Sequence, residues 1–186
     1  AGIAPVGTGA DHAAATAPAL LDRGGWRIAV LGFSDVVLDP DWVADADSPG
    51  VASGYDTERM VAAVRAADAV ADLVFVTIHW GMELDTEPRP DDVARAEAMI
   101  DAGADGIFGH HQHRLGPLGT YRGRPIAWGL GNFVWPRLSP DSARTAVARF
   151  VVEPDGSVRG CLLPAVIAAS GHPELTGPRA CPGEEP

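Results

Sequence analysis

Apolar residues in the first half of the chain form short runs separated by stretches at helical spacing. The runs at 26–33, 73–79 and 105–109 predict buried strands. Between them, apolar positions recur at helical spacing over 56–71 and 91–103, which predicts two helices. Strands that alternate with helices in this way lie parallel in one sheet and are joined by crossover helices.

The second half has a different pattern. Short apolar stretches at 118–121 and 125–129 flank an Arg-Gly-Arg turn, and stretches at 145–152 and 158–168 flank Glu-Pro-Asp-Gly. Apolar runs on either side of turn residues of this kind predict antiparallel hairpins. We therefore expect a parallel front part and an antiparallel back part.

A chain of 186 residues is long enough for one well-packed domain, which we place at 1–170. Near its start, 19–33 reads as a further hairpin around Asp-Arg-Gly-Gly. The segment 34–54 is rich in Asp, Pro, Ser and Gly and predicts a long loop, which in a compact domain is more often functional than idle. The tail, 171–186, contains four prolines and is expected to be loosely ordered.

The charge of the chain excludes one class of partner. The net charge is −11 and the isoelectric point is near 4.8, so no basic surface is available for a nucleic acid. No apolar run approaches the roughly 20 residues needed to cross a bilayer, and the first residues lack the features of a signal peptide. Cys161 and Cys181 lack CxxC spacing, and the sequence is compatible with either a disulfide or two unrelated thiols.

Four of the six histidines follow two predicted strands. His79 ends the strand at 73–79, and His110, His111 and His113 come directly after the strand at 105–109. Ligands bind at the carboxyl ends of strands in open α/β sheets, and histidine is the commonest metal ligand. Since side chains alternate along extended backbone, His111 and His113 are the favoured ligand pair, with His110 facing substrate or supporting the ligands.

Two polar residues near these histidines have more than one interpretation. Glu83, four residues after His79, is a candidate metal ligand, a candidate general base, or a solvated loop acid. Asn132 follows an apolar strand between glycine and phenylalanine, and it is either part of the site or an ordinary turn residue.

Five strings occur in order along the chain: His79-Trp80-Gly81-x-Glu83, Ile100-Asp101-Ala102-Gly103-Ala104-Asp105, Gly109-His110-His111-Gln112-His113, Tyr121-x-Gly123-x-Pro125-Ile126 and Leu130-Gly131-Asn132-Phe133-Val134. Together they resemble the bacterial capsule-synthesis CapA family, the poly-γ-glutamate capsule proteins. The domain of that family is similar to calcineurin-like metallophosphoesterases. The resemblance extends from about residue 2 to residue 177.

The resemblance implies an α/β fold, a metallophosphoesterase-like sandwich of two sheets flanked by helices. It implies a centre of two divalent metals (Mn, Zn or Fe) that includes His79, His111 and His113, with His110, Glu83 and Asn132 as catalytic or lining groups. The family usually has proline where this chain has Gln112, which leaves the ligands unchanged. The family's metal-ligating Asp and an Asn-His segment would precede residue 2, so we expect a truncated member with its first strands missing and an incomplete centre.

The function implied is synthesis or export of a capsular polymer, with metal-dependent hydrolysis in the complete protein. The alternative is a non-catalytic component that binds an anionic polymer, through a metal or arginines such as Arg114 and Arg137, or that organises a synthase complex. Implied partners are an anionic polymer or a substrate with phosphate or amide bonds, together with capsule-synthesis membrane proteins. The implied location of the complete protein is extracytoplasmic or membrane-associated.

Overall fold

A computed structural model describes residues 2–184 of the protein. In chain order the strands are β1 (Thr8–Gly9), β2 (Ala19–Arg23), β3 (Trp26–Ser34), β4 (Gly50–Val51), β5 (Leu73–His79), β6 (Gly106–His110), β7 (Leu118–Tyr121), β8 (Arg124–Ala127), β9 (Arg144–Val152), β10 (Val158–Ile167) and β11 (Pro173–Leu175). The helices are α1 (His12–Ala15), α2 (Thr57–Asp68), α3 (Pro90–Asp101) and α4 (Pro140–Ala143), with a 3₁₀ turn at Pro40–Trp42. The strands and helices predicted from the apolar pattern are confirmed, with ends shifted by a few residues.

The main sheet has six strands in the order β2-β3-β5-β6-β8-β7. Its four inner strands, β3, β5, β6 and β8, are parallel. Strands β2 and β7 pair antiparallel at the two edges, each through a short hairpin to its neighbour. The parallel front part of the prediction is confirmed, because the crossovers from β3 to β5 and from β5 to β6 contain α2 and α3.

Helices α2 and α3 cover one face of this sheet. The Asp56 carboxylate accepts a hydrogen bond from the Arg59 amide at 3.0 Å and so caps the first turn of α2. Met60 and Val64 of α2 are fully buried and belong to the same core cluster as Met99 of α3. These positions recur at helical spacing, which is why α2 and α3 have one apolar face each.

A second sheet, in the order β11-β10-β9, covers the opposite face of the main sheet. Phe150 of β9 stacks on Phe108 of β6 with ring centroids 4.1 Å apart, and Phe75 of β5 lies 6.1 Å from the Phe150 ring. Gly106 leaves room for this contact, because a Cβ there would lie 2.7 Å from the Phe150 ring. The predicted α/β sandwich of two sheets with helices is therefore confirmed.

The tail contains structure that the expectation of loose order did not include. Residues 173–175 form β11, which pairs antiparallel with β10. A disulfide joins Cys161 of β10 to Cys181, with Cα atoms 5.8 Å apart. Spacing between cysteines could not decide between a disulfide and free thiols, because the pairing depends on how the tail folds back on β10.

The segment 34–54 is largely loop, as predicted, and closes over the carboxyl end of β3. The Ser34 amide donates to the Ala52 carbonyl oxygen at 3.0 Å, and the Gly54 amide donates to the Ser34 carbonyl oxygen at 2.7 Å. Its one short strand, β4, pairs with β1. The segment thus holds Ser34, the last residue of β3, at the end of the main sheet.

Among the residues that the structure describes, no helix combines the length and the apolar character needed to cross a bilayer.

Candidate metal site at the carboxyl edge of the sheet

The carboxyl ends of β3, β5 and β6 meet at one edge of the main sheet. The parallel register places Ser34 opposite His79 and His79 opposite His110. The His79 carbonyl oxygen accepts the Asp35 amide at 2.9 Å, and the Trp80 amide donates to the His110 carbonyl oxygen at 3.1 Å. These backbone bonds extend the pairing past the strand ends, so the loops that follow begin side by side.

His79 and His111 form a close pair at this edge. The Nε2 atom of His79 lies 3.0 Å from Nδ1 of His111, and the ring centroids are 4.7 Å apart. Burial lowers the pKa of His79, and the nearby His111 lowers it further. A lowered pKa keeps the His79 imidazole neutral at pH 7, which is the form that binds a metal.

His113 is oriented by a buried asparagine. Its Nδ1 atom lies 2.6 Å from Oδ1 of Asn132, and Asn132 Nδ2 donates to the Ser142 carbonyl oxygen at 3.1 Å. Because Asn132 Nδ2 is the donor to Ser142, its Oδ1 is the acceptor for His113, which makes Nδ1 of His113 the protonated nitrogen. The lone pair of Nε2 is then free, an arrangement typical of metal-binding histidines with an outer hydrogen-bond partner.

The structure brings His79, His111 and His113 together, and we call this set the histidine site. The alternation argument behind this choice was wrong, however, because the backbone after His110 is not extended. His111 has φ 107° and His113 has φ 54°, both in the left-handed half of the map. The centroids of the His111 and His113 rings are nevertheless 6.4 Å apart, because the loop changes direction between them.

The buried side chain of Gln112, between His111 and His113, explains this turn. Gln112 donates from Nε2 to the Trp128 carbonyl oxygen at 2.9 Å, and Trp80 donates to the same oxygen at 3.2 Å. A Cβ at Gly81 would lie 2.6 Å from Gln112 Nε2, and one at Gly129 would lie 2.7 Å from Oε1. Gln112 therefore points into the protein between two glycines, which leaves its two neighbours facing outward. Sequence reasoning missed this role.

His110 and Glu83 are placed differently from the histidine site. The His110 ring is half-buried, and its Nε2 lies 3.0 Å from Thr77 Oγ1. Burial is the larger cause that lowers the pKa of His110, and the neighbouring His79 is the smaller one. Glu83 is exposed in the loop after His79, and among residues 2–184 its carboxylate makes no hydrogen bond or ion pair with the histidines. The structure thus places His110 beside the site and leaves Glu83 at its margin.

A group of charges lies behind the edge, and we call it the ionic cluster: buried Asp35, Asp92 and Arg95, and half-buried Arg89. Asp35 Oδ2 accepts from Arg89 at 2.6 Å and from Arg95 at 2.8 Å. Asp92 Oδ1 accepts from the same two guanidinium groups at 2.7 and 3.0 Å. Asp35 Oδ1 is buried without a hydrogen-bond partner among the described residues. Local sequence pattern does not reveal this cluster, because the arginine partners of Asp35 are 54 and 60 residues away from it.

The donors of the histidine site fit a divalent metal in kind. Two imidazole nitrogens 3.0 Å apart have the separation of neighbouring ligands at about 2.1 Å from one ion. Within residues 2–184, no three or more His, Cys, Asp or Glu side chains are already arranged to hold a metal. The preformed part of the donor set is therefore the His79–His111 pair, with His113 held nearby by Asn132.

Comparison with known proteins identifies the family. The family model described as bacterial capsule synthesis protein PGA_cap matches residues 1–137, which include all of the site residues. The chain belongs to this family. The resemblance inferred from the five sequence strings is thereby confirmed.

Relatives with curated names agree with this membership. The chain is 38% identical over 135 residues to "PGA biosynthesis protein CapA" of Bacillus subtilis, covering 73% of this chain and 35% of the relative. It is 38% identical over 143 residues to a "probable polyglutamine synthesis accessory protein" of Mycobacterium tuberculosis, covering 72% and 38%. It is 36% identical over 136 residues to "Capsule biosynthesis protein CapA" of Bacillus anthracis, covering 72% and 33%.

This PGA_cap-family chain thus spans about a third of the length of the curated relatives that it matches. A crystal structure of a hypothetical protein from Thermus thermophilus aligns with a TM-score of 0.49 at 13% identity, covering 79% of this chain and 61% of the other.

Proposed function

We propose that the protein acts in the synthesis or export of a capsular polymer of the poly-γ-glutamate type, by metal-dependent hydrolysis of an amide or phosphate bond. Membership of the capsule synthesis family supports the biological role. The names of the relatives, which refer to PGA and capsule biosynthesis, point to the same polymer class.

The observation that carries the chemical part of the proposal is the arrangement of imidazoles at the sheet edge. His79 and His111 present nitrogens 3.0 Å apart, and Asn132 fixes His113 with its Nε2 free. These three residues would hold divalent metal, with two ions (Mn, Zn or Fe) in the complete centre. A bound divalent metal lowers the pKa of its water and so supplies a nucleophile near neutral pH.

The remaining residues have roles that depend on their surroundings. His110 is fixed by Thr77, and its lowered pKa favours a neutral ring, so it is better suited to hydrogen-bond the substrate than to carry a proton at pH 7. Asn132 is only 6% exposed, and it positions His113 through their hydrogen bond. Glu83, exposed at the margin, is free to contact a substrate that reaches beyond the histidines.

The second candidate is a non-catalytic component that binds the anionic polymer or contacts capsule-synthesis membrane proteins. The word "accessory" in the name of the mycobacterial relative favours it. So do the exposed apolar side chains of Phe133 and Val134, which directly follow Asn132. An extracytoplasmic or membrane-associated location is part of both proposals, and the Cys161–Cys181 disulfide supports it because disulfides persist in oxidising compartments.

Calorimetric titration with Mn²⁺ and Zn²⁺ tests the proposal, together with hydrolysis of poly-γ-glutamate in the presence and absence of EDTA. We expect saturable metal binding that is lost in His111→Ala and weakened about 10- to 100-fold in Asn132→Ala. His172→Ala, a histidine replacement outside the site, is the matched control and should bind metal as the parent does.

The absence of saturable binding for both metals would refute the metal-dependent reaction. Metal binding without hydrolysis, combined with retained polymer in a pull-down of His111→Ala, would favour the non-catalytic candidate.

A further inference from the structure

A cleft of about 240 Å³ opens between the end of β6 and strand β9, next to the histidine site. One imidazole and a set of small or apolar residues line it: His110, Leu130, Gly131, Phe133, Ala146, Val147 and Ala148. No charged side chain is among these lining residues. A cleft with apolar walls and a single polar group is typical of a small-ligand site.

The polar group of the cleft has one free hydrogen-bonding atom. His110 Nε2 is 3.0 Å from Thr77 Oγ1, which fixes the ring. Its Nδ1 atom makes no hydrogen bond within residues 2–184, and it is not among the buried unpaired polar atoms of that range. Nδ1 is therefore reachable from solvent and available to a bound molecule.

Two lining residues of the cleft connect it to the histidine site. His110 is the register partner of His79 across β5 and β6. Gly131, which lines the cleft, directly precedes Asn132, which holds His113 at 2.6 Å. The cleft therefore begins beside the residues that form the histidine site.

We propose that this cleft is a substrate subsite that takes an unbranched aliphatic segment, with a hydrogen bond between the same molecule and His110 Nδ1. The inference rests on the proposed function of the histidine site and names what lies beside the reacting bond. A charged group in the cleft would be desolvated without a counter-charge, whereas methylene groups bury apolar surface on the lining residues, which carry no charge. The two methylenes between the α-carbon and γ-carbonyl of a γ-linked glutamate have this character.

Binding of linear carboxylates from acetate to octanoate, measured by NMR in EDTA, tests the subsite. Leu130, Val147 and Ala148 are among the residues that line the cleft, so their methyl resonances are the reporters of an occupant. We expect their resonances to shift, with Kd falling about three- to fourfold for each added methylene until the cleft is full.

Ala148→Leu fills the cleft and should remove this dependence on chain length. Ala62→Leu makes the same replacement on the exposed face of α2 and should leave it unchanged. Retention of the dispersed methyl spectrum in both variants verifies that each one folds.

Two results would overturn the subsite. One is a Kd that does not change with chain length, and the other is tight binding by Ala148→Leu. Because metal is absent from this experiment, such a result leaves metal-dependent hydrolysis standing. Conversely, if the unmodified protein binds neither Mn²⁺ nor Zn²⁺, the proposed metal-dependent hydrolysis is refuted. The alkanoate series still tests the cleft in that case.

Discussion

The histidine site and the ionic cluster lie at the same end of the main sheet, yet they are built in opposite ways. The histidine site is at the surface, and each of its rings has a single close polar partner. The two carboxylates of the ionic cluster are buried, and Asp35 and Asp92 each accept from two arginines. One region leaves nitrogen atoms available to a ligand, whereas in the other almost every charge is already paired.

The two regions therefore have different roles at the same edge of the sheet. Buried charges must be paired to be tolerated, so the ionic cluster fixes the position of α3 against the loop after β3. The Asp35 amide, through its bond to the His79 carbonyl oxygen, connects that fixed region to the histidine site. The ionic cluster therefore makes this edge rigid, while the histidine site keeps nitrogen atoms available to a ligand.

The largest effect is expected from breaking the ionic cluster. Arg95→Ala removes a partner from both Asp35 and Asp92, which leaves buried carboxylate charge uncompensated. We expect a loss of about 3–5 kcal/mol in the free energy of unfolding, measured by urea denaturation. Arg59→Ala, which breaks the exposed pair with Asp56, is the control and should cost no more than about 0.5 kcal/mol. Equal effects of the two changes would contradict the distinction between the regions.

A smaller effect is expected at Gln112, a buried residue between His111 and His113 of the histidine site. Gln112→Ala removes the hydrogen bond to the Trp128 carbonyl oxygen, which still accepts from Trp80. We expect a loss of about 1 kcal/mol in unfolding free energy, and weaker binding of Mn²⁺ because the loop no longer holds His111 and His113 outward.

Gln112→Met keeps the side-chain volume between Gly81 and Gly129 but lacks the donor. Calorimetry on both variants separates packing from hydrogen bonding. Unchanged metal affinity in Gln112→Ala would show that the loop holds its shape without this side chain.

The smallest effect is a pH dependence of stability that originates in the histidines. Burial lowers the pKa of His79 and of His110 from the ordinary value of 6.5, so the unfolded chain binds protons more readily than the folded protein. Stability therefore falls as pH drops below about 6.5 and is insensitive to these groups above it.

Urea midpoints between about pH 7.5 and about pH 5 measure this dependence. His110→Gln should reduce the slope, and His172→Gln, outside the site, should not. An unchanged slope in His110→Gln would show that burial of this ring is not its source.

Much of the fold could be predicted because the information is local. The apolar run that forms β5 and the helical spacing of Met60 and Val64 specify elements whose partners follow from the rules of crossover connections. The histidine positions were predicted for the same reason, since His79 and His110 end strands whose register places them side by side. The tail could not be predicted in this way, because β11 and the Cys161–Cys181 bond depend on a return to β10.

Local pattern was sufficient for the α/β class, the alternation of strands and helices, and the family. Each of these follows from periodicity or from an ordered set of short strings. The inward turn of Gln112, the orientation of His113 by Asn132, the ionic cluster and the cleft beside His110 became visible in three dimensions alone. These features join residues far apart in the chain, and their geometry arises from packing between loops, which no local pattern encodes.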